Sequence, residues 1–183
     1  MKDLMLDIET LGTGTRSLIT QVGACYFDRY TGEIGDKFCE NIIIQDSLDN
    51  GFEVRGDTIK FWLEQDKEII QKMIKNALPV TKVLGHFREF YIKDTIAWAH
   101  ATFDFPILTN AYHLMKMKQP IPYKLMRDIR TLVDLSGGNK RCICAENQDE
   151  VRKNHNALDD CIFQVKYCVE AFNKLKMGMK GEK

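Results

Sequence analysis

The run Leu4-Met5-Leu6-Asp7-Ile8-Glu9, continued by Thr10-Leu11-Gly12-Thr13-Gly14, decides the reading of this chain. Leu4, Met5, Leu6 and Ile8 read as a buried strand, and side chains two apart on a strand share a face, so Asp7 and Glu9 project together. Two like charges at a strand end repel unless something positive sits between them, and a divalent cation is the commonest such group. The loop from Thr10 to Gly14 is expected to leave the pair exposed. Taken alone, a D-x-E pair also fits a solvated strand terminus, so its meaning depends on what lies downstream.

Two further acidic segments lie there. Thr95-Ile96-Ala97-Trp98-Ala99 reads as a strand, and His100-Ala101-Thr102-Phe103-Asp104-Phe105-Pro106 turns the chain into a helix, with Pro106 suited to a first turn. Asp104 therefore stands at a strand-to-helix entry. Later, His155-Asn156-Ala157-Leu158-Asp159-Asp160 opens a helix whose apolar positions Leu158, Cys161, Ile162, Val165, Cys168, Val169, Phe172 and Leu175 keep helical spacing. Asn156 reads as the N-cap with Asp159 three residues on, a variant of the capping box. His155 then precedes the helix and Asp160 lies in its first turn. Periodicity does not choose between Asp159 and Asp160.

The order D-x-E, then H-A-x-F-D, then H-x(4)-D resembles the DEDDh exonuclease superfamily, whose members remove nucleotides from 3′ ends with two metal ions. Within it the chain looks most like exodeoxyribonuclease VIII-type proteins of phages and prophages, through LMLDIETLGT, the segments Asp57–Gln65 and Arg127–Val133, and HNALDD. The resemblance implies an α/β ribonuclease H-like fold, a mixed sheet of antiparallel meander plus parallel strands flanked by helices. It implies a 3′–5′ exonuclease that releases nucleoside 5′-monophosphates, with two Mg²⁺ or Mn²⁺ as cofactors and a DNA or RNA 3′ end as partner. A homodimer is compatible with it. The family spacing selects Asp160 over Asp159. By the same likeness Asp7 would touch both metals, Glu9 and Asp160 the one beside the attacking water, and Asp104 the one near the leaving oxygen. His155 would take the water's proton, Thr10 would meet the terminal 3′ hydroxyl, and Leu11 would wedge against a base.

Elementary chemistry agrees with that ligand set. About four clustered negative charges match two divalent cations, and such ions about 4 Å apart can clamp both oxygens of a phosphodiester displacement. All-oxygen ligation suits Mg²⁺ or Mn²⁺. A neutral imidazole, with an ordinary pKa of about 6.5, suits proton removal near neutral pH. An endonuclease of the ribonuclease H type, or a silent module that docks 3′ ends or a polymerase, are the competing readings.

Composition bounds the rest. The 183 residues, 44% hydrophobic and undivided by any proline- or glycine-rich stretch, suit one domain over 1–176 followed by a short basic tail, 177–183. With 26 basic and 26 acidic residues the net charge is zero, which excludes binding by a broad basic surface and favours local engagement of chain ends. No apolar run approaches membrane-spanning length and no signal segment opens the chain, so it reads as cytoplasmic, with reduced cysteines. Cys161 and Cys168 fall on the apolar stripe of the last helix. Cys142 and Cys144 with His155 match no common zinc spacing and read as loop residues.

Strands are expected near 2–8, 18–27 and 34–44, with a turn at Tyr30-Thr31-Gly32, then helices at 57–64, 67–77 and 80–93. The strand at 95–99, a helix at 104–117, a short strand at 123–129 and the last helix follow, with 136–154 read as a mobile loop. His100 reads as a structural histidine near the site rather than a second base, Asp128 as a surface ion pair or helix cap rather than a ligand, and Trp62 with Ile59 and Leu63 as core rather than a base-stacking face. Phe103 fits either core or a base-stacking role. Arg16 and Lys153 are candidate phosphate contacts.

Overall fold

The computed structural model describes residues 2–137 and 155–178. The first three strands, β1 (Lys2–Thr10), β2 (Ile19–Asp28) and β3 (Ile34–Asn41), form the expected antiparallel meander. Its second turn is fixed by chemistry at Asp28, whose side chain accepts the Tyr30 and Thr31 N–H groups while Gly32 takes a φ of 77°. Four helices follow: α1 (Ile44–Asp49), α2 (Gly56–Leu63), α3 (Lys67–Ile74) and α4 (Val80–Phe90). The chain then lays β4 (Ala97–Ala99) parallel to β1 on its other side, turns into α5 (Asp104–Leu114), and adds β5 (Met126–Asp128) parallel to β4. Helix α6 (Ile129–Leu135) and the long α7 (Ala157–Gly178) complete the described residues. The sheet order is β3-β2-β1-β4-β5, so β1 is central.

Alternation along β1 divides the interior into two layers. Leu4, Leu6 and Ile8 pack with Val83, Leu84 and Phe87 of α4 and Leu108 of α5. Met5 faces the other way, against Ile129, Leu132 and Val133 of α6 and Cys161, Val165 and Cys168 of α7. Each such side chain contributes about 1.5–3 kcal/mol when fully buried. Asp7 and Glu9 continue the Met5 face, so the strand's own pleat turns both carboxylates toward α7.

Several boundaries differ from the sequence reading for identifiable reasons. Residues 42–44 are not strand: Ile42 makes only an isolated bridge to Leu78, and Ile44 opens α1. Helices α3, α4 and α5 end earlier than their apolar patterns suggest, each followed by a residue in the left-handed region, Asn76 (φ 54°), Asp94 (φ 66°) and Lys116 (φ 53°). The segment 123–129 resolves into a 3₁₀ turn, the three-residue β5 and the start of α6. The last helix runs through Gly178. Trp62 is core, but Ile59 and Leu63 are exposed, because α2 lies on the rim and only one edge meets the interior. Cys161 and Cys168 are buried as free thiols. Cys142, Cys144, Lys153 and most of the loop read over 136–154 lie outside the described residues. Among the described residues no helix is long and apolar enough to cross a membrane.

Candidate active site

Asp7 pairs in register with Gly23 of β2. A side chain at Gly23 would meet the Ala157 carbonyl and stand 2.5 Å from the Leu158 nitrogen, so glycine here lets the first turn of α7 rest on the sheet. That turn is fastened from both sides. Asn156 caps it, accepting the Leu158 and Asp159 N–H groups at 3.1 Å, while the Ala157 N–H donates to Gln21 Oε1 of β2 at 2.7 Å. Asp159 is exposed and Asp160 half-buried, which turns Asp160 to the sheet.

Two sets of ligand atoms result, each with every member within 4.8 Å of the others: Asp7, Glu9 and Asp160 in one, Asp7, His100 and Asp104 in the other. Asp7 belongs to both. Contrary to the exposed pair expected from the sequence, Asp7 is 8% accessible and Glu9 half-buried. The physical consequence is strong mutual discouragement of charge. Burial, then Asp104, Glu9 and Asp160, raise the Asp7 carboxyl well above its ordinary range. Burial and Asp160 push Glu9 to about 8, and burial pushes Asp104 to about 7 against the hydrogen bond it accepts from the His100 N–H.

A cation site fits these residues. The donor set is rich in carboxylate oxygen, and Gln164, one turn beyond Asp160 and 4% accessible, donates Nε2 to Asp7 Oδ1 at 2.6 Å while its Oε1 has no partner among the described residues. Hard divalent cations suit such a set.

His155 lies immediately before Asn156 with a φ of 34°, a left-handed conformation that costs a non-glycine residue about 1–3 kcal/mol. Its ring stands edge-on to Phe61 (5.2 Å between centroids) and Trp62 (5.7 Å) of α2. Burial lowers its pKa, favouring the neutral ring. Trp62 in turn donates its indole N–H to the Thr10 oxygen at 2.9 Å, which ties His155's aromatic neighbour to the end of β1.

The remaining expected residues are placed as follows. Thr10 is buried and its hydroxyl donates to the Gly12 oxygen at 2.6 Å. Leu11 is 8% accessible, and its N–H and C=O bond Leu18 and Arg55. Phe103 is half-buried beside Asp104 and packs partly on the core. Arg16 pairs with Glu53 at 2.7 Å and donates to the Gly51 oxygen. Asp128 caps α6 through Thr131, and its second oxygen accepts the Ala101 N–H at 2.9 Å, steadying the turn that carries His100 and Asp104. Sequence reasoning put His100 near the site but did not pair it with Asp7, and it missed the bond from Gln164. The second was visible in principle, since Asp160 and Gln164 are one helical turn apart.

Solved structures share this architecture. Exonuclease I from Methylocaldum szegediense superimposes with a TM-score of 0.65 at 14% identity, covering 96% of this chain and 43% of that one. E. coli exonuclease I in complex with a dA16 oligonucleotide gives 0.65 at 15%, covering 95% and 40%. The chain thus spans about two fifths of the length of these proteins. A search of the curated proteins finds no match. The fold is ribonuclease H-like, a mixed five-stranded sheet flanked by helices, as in the exonuclease I structures. Residues 2–172 match the model of the Rv2179c-like 3′–5′ exoribonuclease domain, and the chain belongs to that family.

Proposed function

We propose that this chain is a metal-dependent 3′–5′ exonuclease of the DEDDh type, with residues 1–176 as its single catalytic domain, which shortens nucleic-acid strands from the 3′ end and releases nucleoside 5′-monophosphates. The observation that carries the reading is the membership of Asp7 in two ligand sets. Two Mg²⁺ or Mn²⁺ ions held there would stabilise the charge that develops on the attacking and leaving oxygens. Asp7 would hold both ions, Glu9 and Asp160 the first, and Asp104 the second. His155, favoured as the neutral imidazole, accepts the proton of the attacking water, and Phe61 and Trp62 restrict how the ring can turn.

Thr10 and Leu11 frame the terminal nucleotide by position, since the Thr10 hydroxyl and the Leu11 main chain already have partners. Phe103 has surface left to meet a base. The matched family is described as exoribonuclease, whereas the likeness to exodeoxyribonuclease VIII-type proteins rests on sequence motifs, so the proposed partner is a DNA or RNA 3′ end. End-labelled DNA and RNA oligonucleotides test the reading side by side. A strand blocked at its 5′ end should shorten in a ladder, and the same strand blocked at its 3′ end should resist. Internal cuts in a closed circular strand would instead support the endonuclease, and binding without turnover under any divalent cation would support the silent module.

A further inference from the structure

The two ligand sets around Asp7 are chemically unequal. Asp7, Glu9 and Asp160 offer only oxygen, while Asp7, His100 and Asp104 bring an imidazole nitrogen within 4.8 Å of two carboxylates. The turn bearing His100 is tightly specified. The His100 oxygen accepts the N–H groups of Phe103 (2.8 Å) and Asp104 (3.0 Å), the His100 N–H donates to Asp104 Oδ2 (2.7 Å), and Asp128 holds the next N–H, that of Ala101. The ring's origin is therefore fixed relative to the Asp104 carboxylate by the backbone itself. On the side of α7, the buried Gln164 amide donates Nε2 to Asp7 Oδ1 at 2.6 Å, and its Oε1 has no partner among the described residues.

Charge favours nitrogen at this position. Asp7, Glu9, Asp104 and Asp160 supply four negative charges, the number that two divalent cations balance. A fifth carboxylate in place of His100 would add to the repulsion among the four acids, whereas an imidazole ligating through nitrogen adds a donor and no negative charge. Nitrogen donors also discriminate. Mg²⁺ prefers oxygen and gives up its water reluctantly, and first-row transition cations accept imidazole readily.

We propose that the His100 imidazole is a ligand of the cation position bounded by Asp7 and Asp104, and that it biases this position toward Mn²⁺ over Mg²⁺. The proposal rests on the two-cation reading above and specifies which cation the second position takes.

Equilibrium EPR of the full chain titrated with Mn²⁺ counts bound ions, and pulsed EPR of the loaded protein reads nitrogen coupling directly. The expected result is Mn²⁺ binding with a ¹⁴N coupling that changes to ¹⁵N when histidine is labelled. The coupling should persist in His155→Ala and vanish in His100→Gln and His100→Asn, with the ratio of Mn²⁺ to Mg²⁺ affinity falling about tenfold or more. Circular dichroism verifies the fold of each variant, and the labelled wild type with His155→Ala carries the test if neither His100 variant folds. Mn²⁺ bound with no histidine coupling, or coupling that disappears in His155→Ala or survives in His100→Gln, overturns the role of His100 alone. No Mn²⁺ bound at all overturns both this proposal and the two-cation reading.

Discussion

Gly23 faces Asp7 across the β1–β2 pair, and the side chain it lacks is the space into which the Ala157–Leu158 peptide of α7 fits. Close backbone approach is thus part of how Asp160, three residues further on, comes within reach of Asp7 and Glu9. Gly23→Ala should cost about 1–3 kcal/mol or more by overpacking and lower exonuclease turnover at least tenfold by lifting Asp160 away. Urea unfolding and single-turnover rates check this, and wild-type values for both would remove Gly23 from the account.

Asp7→Asn should abolish turnover and at the same time raise the melting temperature of the metal-free protein at pH 8. The amide relieves repulsion among Asp7, Glu9, Asp104 and Asp160 and can still accept from Gln164. Melting in excess chelator provides the comparison. A variant that is both active and no more stable would contradict the shared-ligand role.

The metal-free protein should lose stability as pH rises. Unfolded, the Asp104 and Glu9 carboxyls titrate near 3.8 and 4.5, and folded they titrate near 7 and 8. The folded state therefore holds protons that the unfolded state has released. Their contribution is complete below about pH 4 and lost as pH climbs through 7 to 8. Mg²⁺ replaces those protons, so the stabilisation it confers should be larger at pH 8 than at pH 5. Thermal unfolding across this range, with and without Mg²⁺, measures both trends, and pH-independent melting in chelator would refute them.

His155→Ala should lower the single-turnover rate about 10²- to 10⁴-fold while leaving Mn²⁺ and 3′-end binding intact. Phe61→Ala should act more gently: with one aromatic wall gone the imidazole is better solvated, and its pKa rises back toward 6.5. The rising limb of the pH–rate profile should then move to higher pH. NMR titration of the histidine ring is the direct measurement, and an unmoved pKa would show that α2 does not govern His155.

Much of this arrangement was legible in the chain because it is local. The pleat of β1 puts Asp7 and Glu9 on one face, Asn156 caps α7, and the apolar stripe of α7 announces its length, all through patterns spanning a few residues. What escaped depends on distant partners. His100 and Asp7 are brought together by the parallel pairing of β4 with β1, which no local pattern encodes, and Gln164 looked like any polar residue on a helix until the sheet lay beside it. Helix α6 was missed because Asp128 does two things at once, ending β5 and capping the helix that begins at the next residue.

The attachment of Asp160 and His155 to a helix so late in the chain has a consequence for synthesis. A ribosome releases β1, with Asp7 and Glu9, some 150 residues before α7 emerges. Until that helix docks, the nascent chain lacks Asp160 and His155, which on the proposed reading would be the fourth carboxylate and the general base. On that reading the chain would stay inactive while its messenger is still being read, and anything that later peels α7 from the sheet would return it to that state.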